Sequence, residues 1–143
     1  MKKNKVSLKP ILYPNKILIA WKEAMSGNEE IRNWLMKSKY KELGIFCFAL
    51  NNDKSSRKWL FNNGYAHLLA TIEGAEGKEG ALVWLQKNNY MLLFHVARSA
   101  DSYVESKKWL KQNDKLMLAI SLQMEYIKDE IEDKNIDPHR INP

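Results

Sequence analysis

Three histidines and their neighbouring acids are the residues in this chain whose types could do chemistry. His67 precedes Glu73 and Glu76 by about two helical turns. An imidazole near a carboxylate is the pairing that general acid–base catalysis uses, so one reading is an enzyme with a groove site near His67. His95 stands in the apolar run Leu92-Leu93-Phe94-His95-Val96-Ala97 and reads as a hydrogen-bonded core histidine. His139 falls in the C-terminal tail. No two histidines have metal-ligand spacing, and no His-Glu-x-x-His occurs. A Gly-x-Ser-x-Gly elbow, a phosphate loop and a dinucleotide fingerprint are all missing. Gly74, Gly77 and Gly80 follow a helix rather than a strand and read as a turn. These patterns point to no catalytic, cofactor-binding or metal-ligating residue, and no cofactor is expected. The single cysteine, Cys47, excludes an internal disulfide framework and reads as a small buried hydrophobe.

The elements that position these residues come from a repeat. Trp-Leu occurs at 34–35, 59–60, 84–85 and 109–110, a period of 25 residues. Leu18, Leu43, Leu68, Leu93 and Leu118 keep the same step, as do Tyr40, Tyr65 and Tyr90. A fixed period of this length marks stacked units, each too small to bury its apolar face alone. One long helix would also return Trp to the same side after seven turns. The breakers argue against it. Asn62-Asn63-Gly64, Asn88-Asn89 and Asn113-Asp114 share one slot of the repeat, and Gly27-Asn28, Asn52-Asp53, Gly77-Lys78 and Ser102 share a second. Asn and Gly accept the left-handed conformation that ends helices, and Asn, Asp and Ser cap the next start.

Two breaks per period make each unit a helical hairpin. First helices are expected near 28–38, 53–62, 78–88 and 103–112, and second helices near 15–26, 40–51, 65–75, 90–100 and 115–134. The first kind carries one apolar stripe, such as Ile31, Trp34 and Leu35. The second kind is apolar on most sides, and so is buried on most sides. The expected fold is all-α: stacked antiparallel hairpins, about four and a half units, with second helices inside and first helices outside. Within this scheme the Trp residues are the main contacts between layers, each burying about 200 Å². The other use for such a row is as stacking platforms for bases or sugars; the core spacing of the stripe favours burial.

Residues 1–13 form a basic arm, 14–134 a single helical-repeat domain and 135–143 a tail. Net charge is +6, of which +5 lies in residues 1–25, +3 in 26–125 and −2 in 126–143. Pro10 and Pro14 interrupt the apolar run after the N-terminal lysines, and no stretch approaches the ~20 apolar residues of a membrane span. A cytoplasmic protein is expected.

Leu93-Phe94-His95-Val96-Ala97-Arg98-Ser99-Ala100, followed by Val104-Glu105-Ser106-Lys107-Lys108-Trp109-Leu110, resembles the helix pair of ankyrin repeats. The Thr-Pro of that family and the roughly eight residues of its hairpin finger are not present. The resemblance implies a stacked scaffold of the kind that binds proteins, without the family's ligand-binding finger.

Some apolar residues break the repeat pattern. Met36 and Phe61 share a slot with Gln86 and Lys111; Phe48 shares one with Glu23, Glu73, Arg98 and Gln123; Leu82 replaces Arg32, Arg57 and Lys107. Exposed apolar patches mark partner surfaces. These four residues form a candidate partner face for a non-catalytic module that binds another protein. The alternative is nucleic-acid binding, with Arg32, Lys37, Arg57, Lys58, Lys107, Lys108 and Lys111 of the outer helices on phosphates.

Overall fold

A computed structural model describes residues 11–135. Among them are nine helices and no strand: α1 (Asn15–Met25), α2 (Glu29–Lys37), α3 (Lys41–Leu50), α4 (Lys54–Asn62), α5 (Ala66–Ala75), α6 (Glu79–Lys87), α7 (Met91–Ala100), α8 (Val104–Asn113) and α9 (Lys115–Asn135). Each follows from the repeat. Odd-numbered helices pack on one another in sequence, α1 to α3 to α5 to α7 to α9, and make the inner layer. Even-numbered helices flank them outside. The basic residues at 2–9 and His139 lie outside the described residues.

The breakers act where their chemistry requires. Gly27, Asn52, Gly77 and Ser102 share one slot and all have positive φ; Gly64 and Asn89 share another and do too. The Asn63, Asn88 and Asn113 amides each donate to the carbonyl of the Trp four residues earlier, at 2.8 Å every time. That repeated bond closes the C-terminus of α4, α6 and α8, where backbone carbonyls would otherwise lack donors. Asn28 and Asp53 cap the starts of α2 and α4 by accepting from the N–H of Ile31 and Ser56.

The layer contact is made by the leucine of each Trp-Leu pair and not by the tryptophan. Leu35, Leu60, Leu85 and Leu110 are fully buried, whereas Trp34 is 54% exposed and Trp59, Trp84 and Trp109 are partly exposed. This corrects the expectation of four core tryptophans. Adjacent residues on a helix differ in direction by about 100°. With Leu aimed at the inner layer, the indole is left at the rim. There it lies flat on the ring that opens the next inner helix: Trp59 on Tyr65 at 5.8 Å and Trp84 on Tyr90 at 6.0 Å between centroids. The tryptophan that does enter the core is Trp21, which meets Phe46 edge-on at 4.9 Å.

Adjacent units are clipped at the other ends of the helices. Arg57 Nε donates to the Ala49 carbonyl at 2.9 Å, and its two Nη groups grip Glu76 of the next unit at 3.0 and 2.7 Å. Two periods later, Lys107 donates to the Ser99 carbonyl and to Glu125, both at 2.8 Å. Between them the same slot holds Leu82, and the slot of Ala49 and Ser99 holds Gly74. The two exchanges fit each other: a Cβ on Gly74 would stand 2.9 Å from Leu82 Cδ2.

α9 is twice the length of the other inner helices and does two things. It packs on α7 and α8, and it also reaches α1. Ile131, Lys128 and Glu132 cross the ends of α3 and α5, where they share a small cavity with Leu50, Ile72 and Ala75. Lys128 bonds Asp101 at 2.9 Å, and Ile127 is buried. The inner layer is therefore crossed by its own last helix. At the other end of the chain Ile11 and Tyr13 pack on the core, with the Tyr13 hydroxyl donating to Glu42 at 2.7 Å; Leu12 is exposed.

Candidate functional site

The outer helices rest on inner ones and scarcely touch one another, so a groove separates each neighbouring pair. What fills each groove is set by residue size. Between α2 and α4 the space over Gly44 is taken by the Met36 side chain, whose sulfur is 2.8 Å from where a Cβ would be. Arg32 covers Phe48 there, 4.5 Å from its centroid. Between α6 and α8 lies a recess of about 220 Å³, where Arg98 sits over Tyr103 at 4.6 Å.

Between α4 and α6 the groove is open. Its floor is Ala66, Leu69 and Ala70 of α5, and its walls are Phe61 of α4 and Gly80, Ala81 and Trp84 of α6, with Glu73 at the far end. The cavity is about 250 Å³, below the ~300–1,000 Å³ of small-molecule sites. It suits one or two inserted side chains. Phe61, 62% exposed, stands at its rim. The groove exists because this copy carries small residues on its floor: Ala66 in the slot of Lys41, Met91 and Leu116, and Ala70 in the slot of Ile45, His95 and Ile120. The substitution of small for large stands in the sequence itself, in the slots of Ala66 and Ala70.

The four apolar outliers do not come together as one face. Leu82 is 7% exposed and packs on Gly74, so it shows little surface to a partner. Met36 and Phe48 are half-buried in the first groove, and Phe61 alone stands open. Among the basic candidates, Arg32 is spent on Phe48, while Arg57 and Lys107 are the clips that join units. Lys37, Lys58, Lys108 and Lys111 are exposed.

His67 is not at a groove position. Its side chain is fully buried, with its ring parallel to Tyr90 at 4.7 Å and tilted against Tyr65 at 6.1 Å. Neither ring nitrogen has a hydrogen-bond partner, and desolvation pushes its pKa down to about 4. A sealed, neutral imidazole cannot meet a substrate, and the reason is its neighbour's Tyr: the side chain from the next unit closes over it. His95 is hydrogen-bonded to Ser106 at 2.9 Å and stacked on Trp109 at 4.1 Å. Burial, then the charge of Arg98, lowers its pKa. Cys47 is buried, donates weakly to the Leu43 carbonyl, and has its thiol pushed up to about 12 by desolvation. Among the described residues no group of His, Cys, Asp and Glu is placed to hold a metal ion, and no helix is long and apolar enough to cross a membrane.

No family model, no curated protein and no solved structure matches this chain.

Proposed function

We propose that this protein is a non-catalytic helical-repeat scaffold that binds a protein partner, with the α4–α6 groove as the centre of contact. The observation that carries this reading is Phe61. It is a large aromatic side chain, 62% exposed, at the mouth of an apolar recess sized for inserted side chains. Helices laid into grooves and aromatic anchors seated in pockets are common modes of recognition. The stack offers such a recess on rigid elements, and burying Phe61 together with the flank of Trp84 would supply a small hydrophobic centre ringed by polar residues.

The test is capture of a partner from cell lysate in the presence of nuclease, with wild type and Phe61→Asp compared side by side. The expected result is a protein held by wild type and lost from the variant, with unchanged thermal unfolding of the bait. A partner held equally by both would place the contact elsewhere on the molecule.

A further inference from the structure

The two edges of the stack differ in charge. One edge is formed where outer helices end and inner helices begin. It carries Lys16, Lys37, Lys39, Lys41, Lys87, Lys111 and Lys115. Its two acids are already engaged: Glu42 is buried and accepts from Tyr13, and Asp114 caps α9 by accepting from the Met117 N–H. On the opposite edge lie Glu29, Glu30, Asp53, Glu73, Glu79 and Asp101, among others. All five ion pairs among the described residues, from Arg57–Glu76 to Lys128–Asp101, involve groups of that second edge, and none of the seven lysines of the first edge forms one.

Helix dipoles do not account for this. Lysine favours helix C-termini, which covers Lys37, Lys87 and Lys111. Lys16, Lys41 and Lys115 stand in the first turns of inner helices, where the dipole disfavours them. The lysine edge is also where the tryptophans surface. Trp34, Trp59, Trp84 and Trp109 recur once per unit along it, the last three each backed by the ring of Tyr65, Tyr90 or His95. Cations already gather on these rings: Lys41 Nζ is 5.7 Å from Trp59 and Lys39 Nζ is 5.5 Å from Tyr40.

We infer that this edge binds single-stranded nucleic acid, with bases stacking on the surface tryptophans and the unpaired lysines following the phosphates. Aromatic platforms interleaved with cations that no carboxylate neutralises are the arrangement that single-strand binding requires. Duplex DNA or RNA keeps its bases stacked on each other and cannot use the platforms. The edge borders the α4–α6 recess, whose wall includes Trp84, so the test rests on Trp34 and the lysines around it, at the end of α2 and the start of α3, one unit away.

The experiment uses the full chain, a fluorescent single-stranded oligonucleotide, the matching duplex, and heparin as a polyanion without bases. Anisotropy reports binding and tryptophan fluorescence reports stacking; the buried Trp21 stays as an unquenched background. The expected result is binding of the single strand with quenching, and affinity falling roughly a hundredfold between about 50 and 200 mM salt, the slope for about five phosphate contacts. Trp34→Ala, an exposed position that leaves the fold intact, lowers affinity about tenfold. The triple change Lys37→Glu, Lys39→Glu, Lys41→Glu abolishes binding, whereas Lys54→Glu on the opposite edge leaves it unchanged. No binding at low salt, equal binding of duplex, quenching by heparin alone, or a Trp34→Ala variant with wild-type affinity would each overturn the inference. So would binding confined to anionic lipid vesicles or to an acidic protein. Retention of the protein partner by Trp34→Ala separates this outcome from the fate of the groove.

Discussion

The His67 imidazole lies parallel to the Tyr90 ring, 4.7 Å away and 5° from coplanar, with neither nitrogen hydrogen-bonded. A polar ring has been sealed between aromatic ones in a slot that Leu92 and Met117 occupy in later units.

The first prediction concerns pH. An unfolded imidazole takes its proton near 6.5, and the folded one resists until about 4. Between those values the unfolded chain binds more protons, so stability falls as pH drops. At pH 5 the loss from His67 is about 2 kcal/mol. Urea unfolding at pH 7.5 and pH 5 measures it. His67→Leu should remove most of the difference, leaving the part due to His95, whose pKa is also lowered. Two unpaired buried nitrogens also cost stability at neutral pH, so the same variant should be no less stable than wild type at pH 7.5. An unaltered pH dependence would mean the ring is not desolvated.

A second prediction separates the members of a Trp-Leu pair. Leu85 has no exposed surface, and Leu85→Ala should cost about 3 kcal/mol through lost burial and a cavity. Trp84 keeps one face near solvent and should cost about half as much when changed to Ala. Chemical denaturation of the two variants gives the order directly; the reverse order would return the tryptophans to the core.

Glycines offer a third pair. Gly74→Ala drives a methyl against Leu82 and against Ala97 Cβ, 2.9 and 3.0 Å away. It should destabilise by about 1–3 kcal/mol. Gly80 meets nothing within 4 Å on an exposed helical position, and Gly80→Ala should stabilise by about 0.5–1 kcal/mol. Thermal melts of both suffice. Equal effects would break the link between Gly74 and the leucine that replaces a clip.

The clip itself is the fourth. Arg57→Ala removes a hydrogen bond to Ala49 and a two-pronged ion pair with Glu76, both partly shielded from solvent. The expected cost is about 1–2 kcal/mol, since partly exposed pairs are screened. Arg57→Lys should recover the carbonyl bond and less of the pair. Full recovery would show that the fork geometry is irrelevant.

Much of this fold could be read before any coordinates. The period, the two break slots and the inner and outer roles all follow from residue type, because Gly64, Asn52 and Asn89 occupy positions that need positive φ. The facing of Trp against Leu could not be read, since both sit on the apolar stripe and only the neighbouring helix decides which turns inward. The burial of His67 was hidden for a similar reason. Tyr90, which covers it, belongs to the next unit, 23 positions on. Leu82 reads as an exposed outlier when taken alone, because the residue that makes room for it, Gly74, lies on a different helix. The open groove has a faint signature, because a recess is made by small residues such as Ala66 and Ala70, while large residues out of pattern stand out.

α9 gives the array a fixed count. A solenoid whose units touch only their neighbours can gain or lose a copy and remain a solenoid. Here the last helix reaches back to the first, and its reach is set by its own 21 residues. Inserting one more 25-residue hairpin between them would carry α1 beyond that reach and break the contact between α1 and α9. The protein has thereby left the regime in which repeats grow by duplication. It behaves as a closed object with a definite number of parts, and changes to its binding surface must come by substitution within the units it has.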